Sequence, residues 1–365
     1  RKHKPCVIFI DEIDTFGRKR RNDRSGSSRA TINALLNELD GFTESSEVMV
    51  LAATNRADTL DEALTRSGRF DRKISVDLPP HKDRVAIAHV HLKPLNLSPA
   101  LTIESVAETV ATMTPGCSGA DIYNVCNEAA ITASRLEKDH VDLECFTIAM
   151  DRIMIGMEKK ARTLSPTERE RLAFHEAGKV VLTWFLETAD PVLKATIQPR
   201  GGRRSGVTKR LPKERFISTQ VMLREKMVHS LGGYVAEEHF FQDVSGTAAE
   251  DLRRVTNMAQ HEVATYGMEP ARVGHFGWPD DDGQAVQKPY GAAKADAIDG
   301  AVQNITSEVM QRARTLLSQH LDHTRIVAGL LLRNETVTAR ELWTVLGERP
   351  VMTEEFRKYL ETAAN

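Results

Sequence analysis

The sequence has few cysteines, no long apolar run and almost no net charge, and each shortage excludes a class of protein. Its four cysteines show no CxxC spacing, which excludes a disulfide framework and favours a reducing compartment. Lys plus Arg (49) balances Asp plus Glu (51), so no overall basic field is available and we expect no nucleic-acid partner. No apolar run approaches the roughly 20 residues that cross a bilayer. The 365 residues have an ordinary globular composition, enough for about two domains.

A phosphate-binding loop is also missing from the sequence. The pattern GxxxxGK[ST] occurs nowhere in the chain, and the backbone amides and lysine of that loop hold the ATP phosphates in P-loop proteins. We therefore expect that these residues alone do not bind ATP. Because the chain begins at Arg1, shortly before a hydrophobic strand pattern, we also expect it to be a fragment of a longer protein.

Three stretches differ in their hydrophobic patterns. Residues 1–78 alternate strand patterns, at 7–10, 48–54 and 74–76, with a helical pattern at 30–39, which predicts a parallel α/β sheet. Residues 79–159 begin with two prolines and are predicted to be helical, with a capped helix that starts at Ser118. Residues 160–365 are predicted to be mainly helical, with a short β segment at 195–211.

Polar residues follow the first two strand patterns. The apolar run VIFI (7–10) ends in Asp11 and Glu12, and the next strand pattern is followed by Asn55. In P-loop ATPases an Asp at such a strand end holds Mg²⁺, and an adjacent Glu can polarise the attacking water. The pattern indicates a nucleotide site, although a strand followed by solvated acids explains Asp11 and Glu12 equally well when they are taken alone.

A second candidate site lies on a helix predicted to start at a capping box, SPTE (165–168). Further along this helix, HEAGK (175–179) contains His175 and Glu176 in the arrangement of the zinc-binding pattern HExxH. In that pattern two imidazoles at i and i+4 bind the metal and the Glu serves as general base. Lys179 stands where the second imidazole would be.

A lysine does not suit the second ligand position. Its side chain ordinarily titrates near pH 10.4, and holding it neutral at pH 7 costs roughly 4–5 kcal/mol. Two protein ligands are too few for a zinc site, which takes three or four, and no HxxxH pair occurs elsewhere in the chain. The sequence therefore predicts that zinc peptidase chemistry is lost.

Taken together, these motifs resemble the FtsH family of membrane-bound AAA metalloproteases, and most of all its mitochondrial, matrix-facing, paraplegin-like branch. The stretch 54–72 resembles the second region of homology of AAA ATPases. The other resembling strings are LAFHEAG (172–178), WFLETADP (184–191), IQPRG (197–201), LPKE (211–214), LGG (231–233) with EE (237–238), EDL (250–252), YGM (266–268) and LGERP (346–350). The resemblance covers essentially the whole chain.

The resemblance implies a role for each residue of the nucleotide half. Asp11 and Glu12 would bind Mg²⁺ and ATP, with Glu12 as the base for the attacking water, and Asn55 would sense the γ-phosphate. Arg66 and Arg69 would be arginine fingers that reach the nucleotide of a neighbouring subunit, a role that suits a permanently charged, forked guanidinium. Fingers that act in trans imply a homo- or hetero-hexameric ring.

In the peptidase half the resemblance implies that His175 is the first zinc ligand, Glu176 the general base and Asp251 the third ligand. Lys179 replaces the second ligand. The strand that pairs with substrate in the family reads GVTKR (206–210) here, where an aromatic residue usually follows the glycine.

The resemblance also implies the architecture and the biological setting. Residues 1–78 would be the C-terminal part of an α/β AAA ATPase core, 79–159 its helical lid, and 160–365 a mainly α-helical metallopeptidase domain. The expected protein is a subunit of a membrane-anchored ATP-dependent protease in the mitochondrial inner membrane, facing the matrix, with a plastid or bacterial inner membrane as alternatives. It would be anchored by an N-terminal segment that is absent from this sequence, and its substrates would be unfolded or membrane proteins.

Two alternatives to a subunit with an inactive peptidase site stay open at this point. One is a fully active ATP-dependent zinc endopeptidase, and the other is a truncated, non-enzymatic assembly module. If zinc is lost, Glu176 and Asp251 would leave two carboxylates in one pocket without a cation. Because Lys179 is at i+3 from Glu176 and i+4 from His175, we predict that its ammonium forms an ion pair with Asp251, Glu176 or both.

Overall fold

The computed structural model describes residues 5–17, 26–40, 47–154, 156, 164–199, 206–211, 215, 217–278 and 289–362. These residues belong to two compact units, Arg1–Asp77 and Leu78–Asn365. The predicted domain boundary between residues 159 and 160 lies outside the described residues, as do parts of the IQPRG and LPKE motifs.

The first unit contains a parallel pair of strands. Strand β1 (Cys6–Ile10) pairs with β2 (Val48–Ala52) over its whole length, which confirms the parallel pairing predicted from the hydrophobic patterns. The helices are α1 (Asp14–Gly17) and α2 (Gly26–Asp40), and a 3₁₀ turn spans Ala57–Thr59.

The prediction of a strand at 74–76 is wrong. In the structure this segment belongs to no strand, and Ile74 and Val76 are 87% and 91% exposed. A β-strand is held by ladder hydrogen bonds to a neighbour, and no described strand pairs with this segment.

The second unit begins with four helices that share one core. They are α3 (His81–Leu92), α4 (Ile103–Met113), α5 (Gly119–Arg135) and α6 (Leu143–Met154). Helix α5 starts as predicted: the Ser118 hydroxyl accepts from the Asp121 amide (3.2 Å), and the Asp121 carboxylate accepts from the Ser118 amide (2.8 Å). Its apolar face is buried in the core against the neighbouring helices.

Helix α7 (Pro166–Phe185) carries the candidate zinc motif. It starts at the predicted capping box, in which Ser165 and Glu168 cap each other. It packs closely on α9 (Gly232–Phe241), because a Cβ atom at Gly178 would lie 2.2 Å from the Gly232 carbonyl oxygen. The two glycines therefore allow the helices to approach nearer than larger residues would permit.

A three-stranded antiparallel sheet lies beside α7, with the order β4-β3-β5. Its strands are β3 (Val192–Thr196), β4 (Val207–Arg210) and β5 (Thr336–Thr338). Only β3 pairs with β4 among the described strands, so the other edge of β4 has no strand partner there.

The remaining elements are helical. They are α8 (Gln220–Ser230), α10 (Ala248–Gln260), a π-helical turn (His261–Thr265), α11 (Pro270–Val273), α12 (Ala292–Gln319), α13 (Leu321–Asn334), α14 (Ala339–Leu346) and α15 (Glu354–Thr362). In the described part of the chain, no helix combines the length and apolar character needed to cross a membrane.

One buried carboxylate joins α6 to the sheet. The side chain of Asp151 is only 6% exposed, and it contacts Lys194 of β3 (Nζ–Oδ2 2.8 Å) and Lys209 of β4 (Nζ–Oδ1 2.9 Å). Burial raises the pKa of Asp151, but the charges of Lys209 and Lys194 outweigh it, and the pKa lies below its ordinary value. Asp151 is therefore ionised and bridges two strands.

Candidate functional site

Helices α7 and α9 hold His175 in one orientation. The imidazole is fully buried, and a Cβ atom at Gly233 would lie 2.4 Å from its Cε1 atom, so the backbone of α9 lies directly against the ring. On the far side, Nδ1 of His175 lies 2.7 Å from Oε1 of Glu237. Glu237 is held in turn by the amide and hydroxyl of Ser245, at 2.7 and 2.9 Å. A carboxylate on one nitrogen leaves the other nitrogen to face the site.

Helix α10 brings Asp251 to the same place. Its Oδ2 atom lies 3.2 Å from Nε2 of His175 and 3.1 Å from Nζ of Lys179. The Lys179 ammonium also lies 3.7 Å from Oε1 of Glu176. The structure thus brings together the four residues named from the sequence, and the predicted ion pair of Lys179 with the carboxylates is present.

The charges in this cluster support one another. Burial raises the pKa of Asp251, but contacts with His175 and Lys179 outweigh it and lower the pKa overall. Burial and the Lys179 charge lower the pKa of His175, whereas the contacts with Asp251 and Glu237 raise it, and the net effect is a raised pKa. Burial raises the pKa of Glu237 as well, and its contacts with His175 lower it overall.

Two buried atoms face the centre of the cluster without a well-directed hydrogen bond. They are Nε2 of His175 and Oδ2 of Asp251, which are close to each other but badly aligned for donation. Among the residues that the structure describes, no group of three or more His, Cys, Asp or Glu side chains is placed to hold a metal ion. In this part of the chain the structure therefore directs two candidate metal-binding atoms to one point, and the third group beside them is the Lys179 ammonium.

Strand β4 closes the other side of the site. Thr208 donates a hydrogen bond from Oγ1 to Oε2 of Glu176 (2.7 Å). At the start of this segment a Cβ atom at Gly206 would lie 2.9 Å from Cγ of Glu176. The backbone of the strand therefore runs directly past the candidate general base.

A cavity of about 510 Å³ opens between β4, α7, α8 and α10. Its lining includes Glu176, Lys179, Thr183, Gly206, Val207, Thr208, Arg210, His229, Ser230, Glu250, Asp251, Arg253 and Arg254. The cavity is lined mostly by charged and polar groups.

In the first unit, the parallel pairing places the residues predicted to bind nucleotide at one edge. The last residues of the two strands, Ile10 and Ala52, are paired, so β1 and β2 end side by side. Asp11 and Glu12 follow β1 directly, and Asn55 lies three residues after the end of β2. All three side chains are exposed. Glu12 has φ of 49°, the left-handed region that residues with a side chain seldom adopt. The structure thus leaves the predicted nucleotide role of these residues a prediction.

The structure places the two predicted arginine fingers differently. Arg69 is bound within its own unit: Nε and Nη2 donate to the two carboxylate oxygens of Asp40 (2.7 and 2.6 Å), and Nη1 donates to the Ala63 carbonyl (2.6 Å). This contact lowers the pKa of Asp40. Arg66 is exposed, and its side chain makes no ion pair with any described residue.

Three contacts of the site were not found from the sequence. Glu237 lies 62 positions after His175, and the available signal was its place four residues after Gly233, on the same helical face. The Thr208 contact with Glu176 and the Arg210 contact with His229 depend on the tertiary placement of β4, and no pattern in the sequence indicated them.

Comparisons with known proteins cover all parts of the chain. The description "Peptidase family M41" matches residues 162–345, "ATPase family associated with various cellular activities (AAA)" matches 1–78, and "AAA+ lid domain" matches 104–148. Similar proteins include the mitochondrial inner membrane m-AAA protease component YTA10 of Saccharomyces cerevisiae, 42% identical over 100% of this chain and 49% of the relative. The m-AAA component AFG3L2 of Mus musculus is 43% identical over 96% and 44%, and the ATP-dependent zinc metalloprotease FtsH of Rhodothermus marinus is 44% identical over 95% and 50%. The chain spans about half the length of these relatives.

Proposed function

We propose, because the chain belongs to peptidase family M41 and carries AAA sequence ahead of the peptidase region, that it is a subunit of a membrane-anchored ATP-dependent protease ring whose own peptidase site does not bind zinc. The family and the fold class expected from the sequence are those found. The observation that carries the proposal is the position of the Lys179 ammonium, 3.1 Å from Asp251 in the place of the second metal ligand.

The residues present do not fit a zinc ion. Zinc sites in proteins use three or four ligands, and among the described residues His175 and Asp251 are the two with a buried, unpaired atom at this place. A cation bound there would also lie against the positive charge of Lys179, which already neutralises the carboxylates. We therefore assign no step of peptide hydrolysis to this site, and infer that the ammonium keeps the family fold while the chain leaves cleavage to other subunits.

The nucleotide half of the proposal assigns ATP hydrolysis to the full-length protein. Asp11 would hold Mg²⁺, Glu12 would orient the attacking water, and Asn55 would contact the γ-phosphate. Arg66 is the exposed guanidinium suited to a neighbouring subunit's nucleotide, and Arg69 would have to leave Asp40 to play the same part. ATP with Mg²⁺ supplies the free energy for unfolding when it is bound, and the bound phosphates need a loop that this sequence does not contain.

The similar proteins guide the proposed setting. Because YTA10 and AFG3L2 are named as components of a mitochondrial inner membrane protease, we place this protein in the same membrane, facing the matrix, in a homo- or hetero-hexameric ring. Its substrates would be unfolded or membrane proteins that active partner subunits degrade. A fully active zinc protease is the competing function, and it requires zinc at His175 and Asp251.

Metal analysis of the purified chain tests the proposal. We expect far less than one zinc per chain in the unmodified protein, and about one in Lys179→His, which creates two imidazoles and Asp251 around an open fourth position. Lys73→His, at an exposed position of the first unit, controls for zinc bound by an added histidine alone. Stoichiometric zinc in the unmodified chain would contradict the proposal and favour the active protease.

A further inference from the structure

Two histidines face each other where α12 passes into α13. His320 lies between the two helices, and His323 lies three residues later, in the first turn of α13. Residues at this spacing lie on the same face of a helix. The two Nδ1 atoms are 3.4 Å apart, and both rings are partly buried. The pair lies outside the candidate zinc site and its cavity.

The backbone and a stacked aromatic ring hold His320 in place. Its amide donates to the Leu317 carbonyl (2.9 Å), and its carbonyl accepts from the amide and the hydroxyl of Thr324, both at 3.0 Å. The imidazole stacks on the ring of Phe185, the last residue of α7, with centroids 3.7 Å apart and an angle of 1° between the planes. The plane of the His320 ring is therefore fixed against the end of α7.

The contact between the two imidazoles is a poor hydrogen bond but a suitable gap for a metal ion. Good N–H hydrogen bonds have donor–acceptor distances of about 2.7–3.2 Å, and the two rings are inclined by 41°. Imidazole nitrogens lie about 2.0–2.1 Å from a bound ion such as zinc, so two of them at an angle of roughly 110° on one ion are about 3.4 Å apart. The observed separation of the Nδ1 atoms has this value.

The chemistry of the pair favours a metal ion that binds nitrogen. Burial, followed by the charge of His323, lowers the pKa of His320, so its ring is neutral at pH 7, the form that binds metals. The nearby carboxylate of Asp322 is exposed and is paired with Arg325 (2.8 Å). Within the described ranges no third His, Cys, Asp or Glu side chain completes a metal-binding group with the pair.

These donors distinguish between the common divalent ions. Mg²⁺ and Ca²⁺ prefer oxygen ligands, and zinc takes three or four protein ligands. Cu²⁺ has the highest affinity among the divalent ions of the first transition row, and it accepts nitrogen and oxygen ligands together. Two imidazoles and solvent therefore suit Cu²⁺ best.

We propose that His320 and His323 form a copper site, which binds one Cu²⁺ ion through the two Nδ1 atoms, with water in the remaining positions. Binding through Nδ1 requires that each ring carries its proton on Nε2. A bound ion would fix His323 to the His320 ring and so tie the start of α13 to the end of α7. The inference is independent of the proposed function, because the pair shares no residue with the candidate zinc site.

Calorimetric titration of the 365-residue chain with CuCl₂, in a buffer that contains glycine as a weak competing ligand, tests the proposal. All samples carry His3→Gln, because a free α-amino group with a histidine two residues later can bind Cu²⁺ by itself. We expect one Cu²⁺ per chain and no competition from an excess of Mg²⁺. His320→Gln and His323→Gln should each weaken binding by at least about tenfold, since even changes behind a metal ligand cost that much.

His140→Gln is the matched control, because His140 is an exposed histidine outside the pair, and it should leave the affinity unchanged. Electron paramagnetic resonance of the bound Cu²⁺ should show nitrogen ligands. The absence of Cu²⁺ binding to the chain with both histidines would overturn the proposal even if the two variants failed to fold. Equal affinity in that chain and in folded His320→Gln and His323→Gln would place the ion elsewhere and overturn it as well. Zinc measured before the titration reports separately on the proposed function.

Discussion

The ion pair between Lys179 and Asp251 predicts a measurable coupling free energy. Replacing Lys179 with Met leaves the Asp251 carboxylate, whose side chain is 7% exposed, without its ammonium. Replacing Asp251 with Asn leaves the ammonium facing Glu176. Removing both charges together should cost less than the sum of the two single substitutions, because neither charge is then left uncompensated.

The magnitude follows from the distance and the burial. Two unit charges 3.1 Å apart attract by roughly 5 kcal/mol at an effective dielectric constant of about 20. Desolvation of the carboxylate opposes this attraction, the Lys179 side chain is 22% exposed, and His175 partly compensates Asp251 from 3.2 Å. We therefore expect a coupling of about 2 kcal/mol, above the 0–1 kcal/mol that is typical of exposed pairs.

Urea unfolding followed by tryptophan fluorescence measures this coupling. The three tryptophans, Trp184, Trp278 and Trp343, all lie in the second unit, so the signal reports the unit that contains the ion pair. The control is the same cycle at Arg325 and Asp322, an exposed pair on α13 with side chains 57% and 89% exposed, where the coupling should stay near zero. A Lys179–Asp251 coupling no larger than the control would refute the reasoning that the ammonium has taken over the charge of the metal.

Three further predictions concern other parts of the molecule. Gly233→Ala should lower the free energy of unfolding by at least about 2 kcal/mol, because the added Cβ would lie 2.4 Å from the His175 ring. The control is Gly300→Ala, at a helical position with open space around it, where urea unfolding should show a gain of about 0.5–1 kcal/mol. Asp151→Asn should lower the free energy of unfolding by roughly 2–4 kcal/mol at pH 7. Because the pKa of Asp151 is lowered in the fold, this loss of stability should be complete above about pH 4 and disappear as the pH falls through the lowered pKa. A loss that does not change between pH 2 and 7 would contradict the assigned charge. Calorimetry with ATP or ADP should detect no micromolar binding to the chain, which lacks the phosphate loop, and such binding would show that the loop is dispensable.

The parts of the site that could be predicted from the sequence are those decided within one element. The start of α7 follows from the local reciprocity of Ser165 and Glu168, and the common direction of His175 and Lys179 follows from helical spacing alone. The parallel pairing of β1 with β2 was likewise accessible, because two apolar strand patterns separated by a helical pattern usually form a parallel β-α-β unit.

What could not be predicted depends on contacts between distant elements. Glu237 supports His175 across 62 positions of the chain, and nothing in the sequence around it indicated which side chain it would meet. The segment 74–76 shows the opposite error: its residues favour a strand, but a strand forms only where a partner provides the other half of the hydrogen bonds. The assignment of roles to Asp11, Glu12, Asn55 and Arg66 stays a prediction, because geometry alone does not distinguish a nucleotide site from exposed polar side chains.

The bridge through Asp151 has a consequence for how this chain can be divided. A fragment that began at residue 160 would keep Lys194 and Lys209, with side chains 25% and 10% exposed, and would lose Asp151, the carboxylate that contacts both of them. The ammonium groups of Lys194 on β3 and Lys209 on β4 would then repel each other. A minimal fragment that preserves the sheet therefore has to begin ahead of α6, inside the segment that the sequence assigned to another domain, so functional module and folding module do not coincide here.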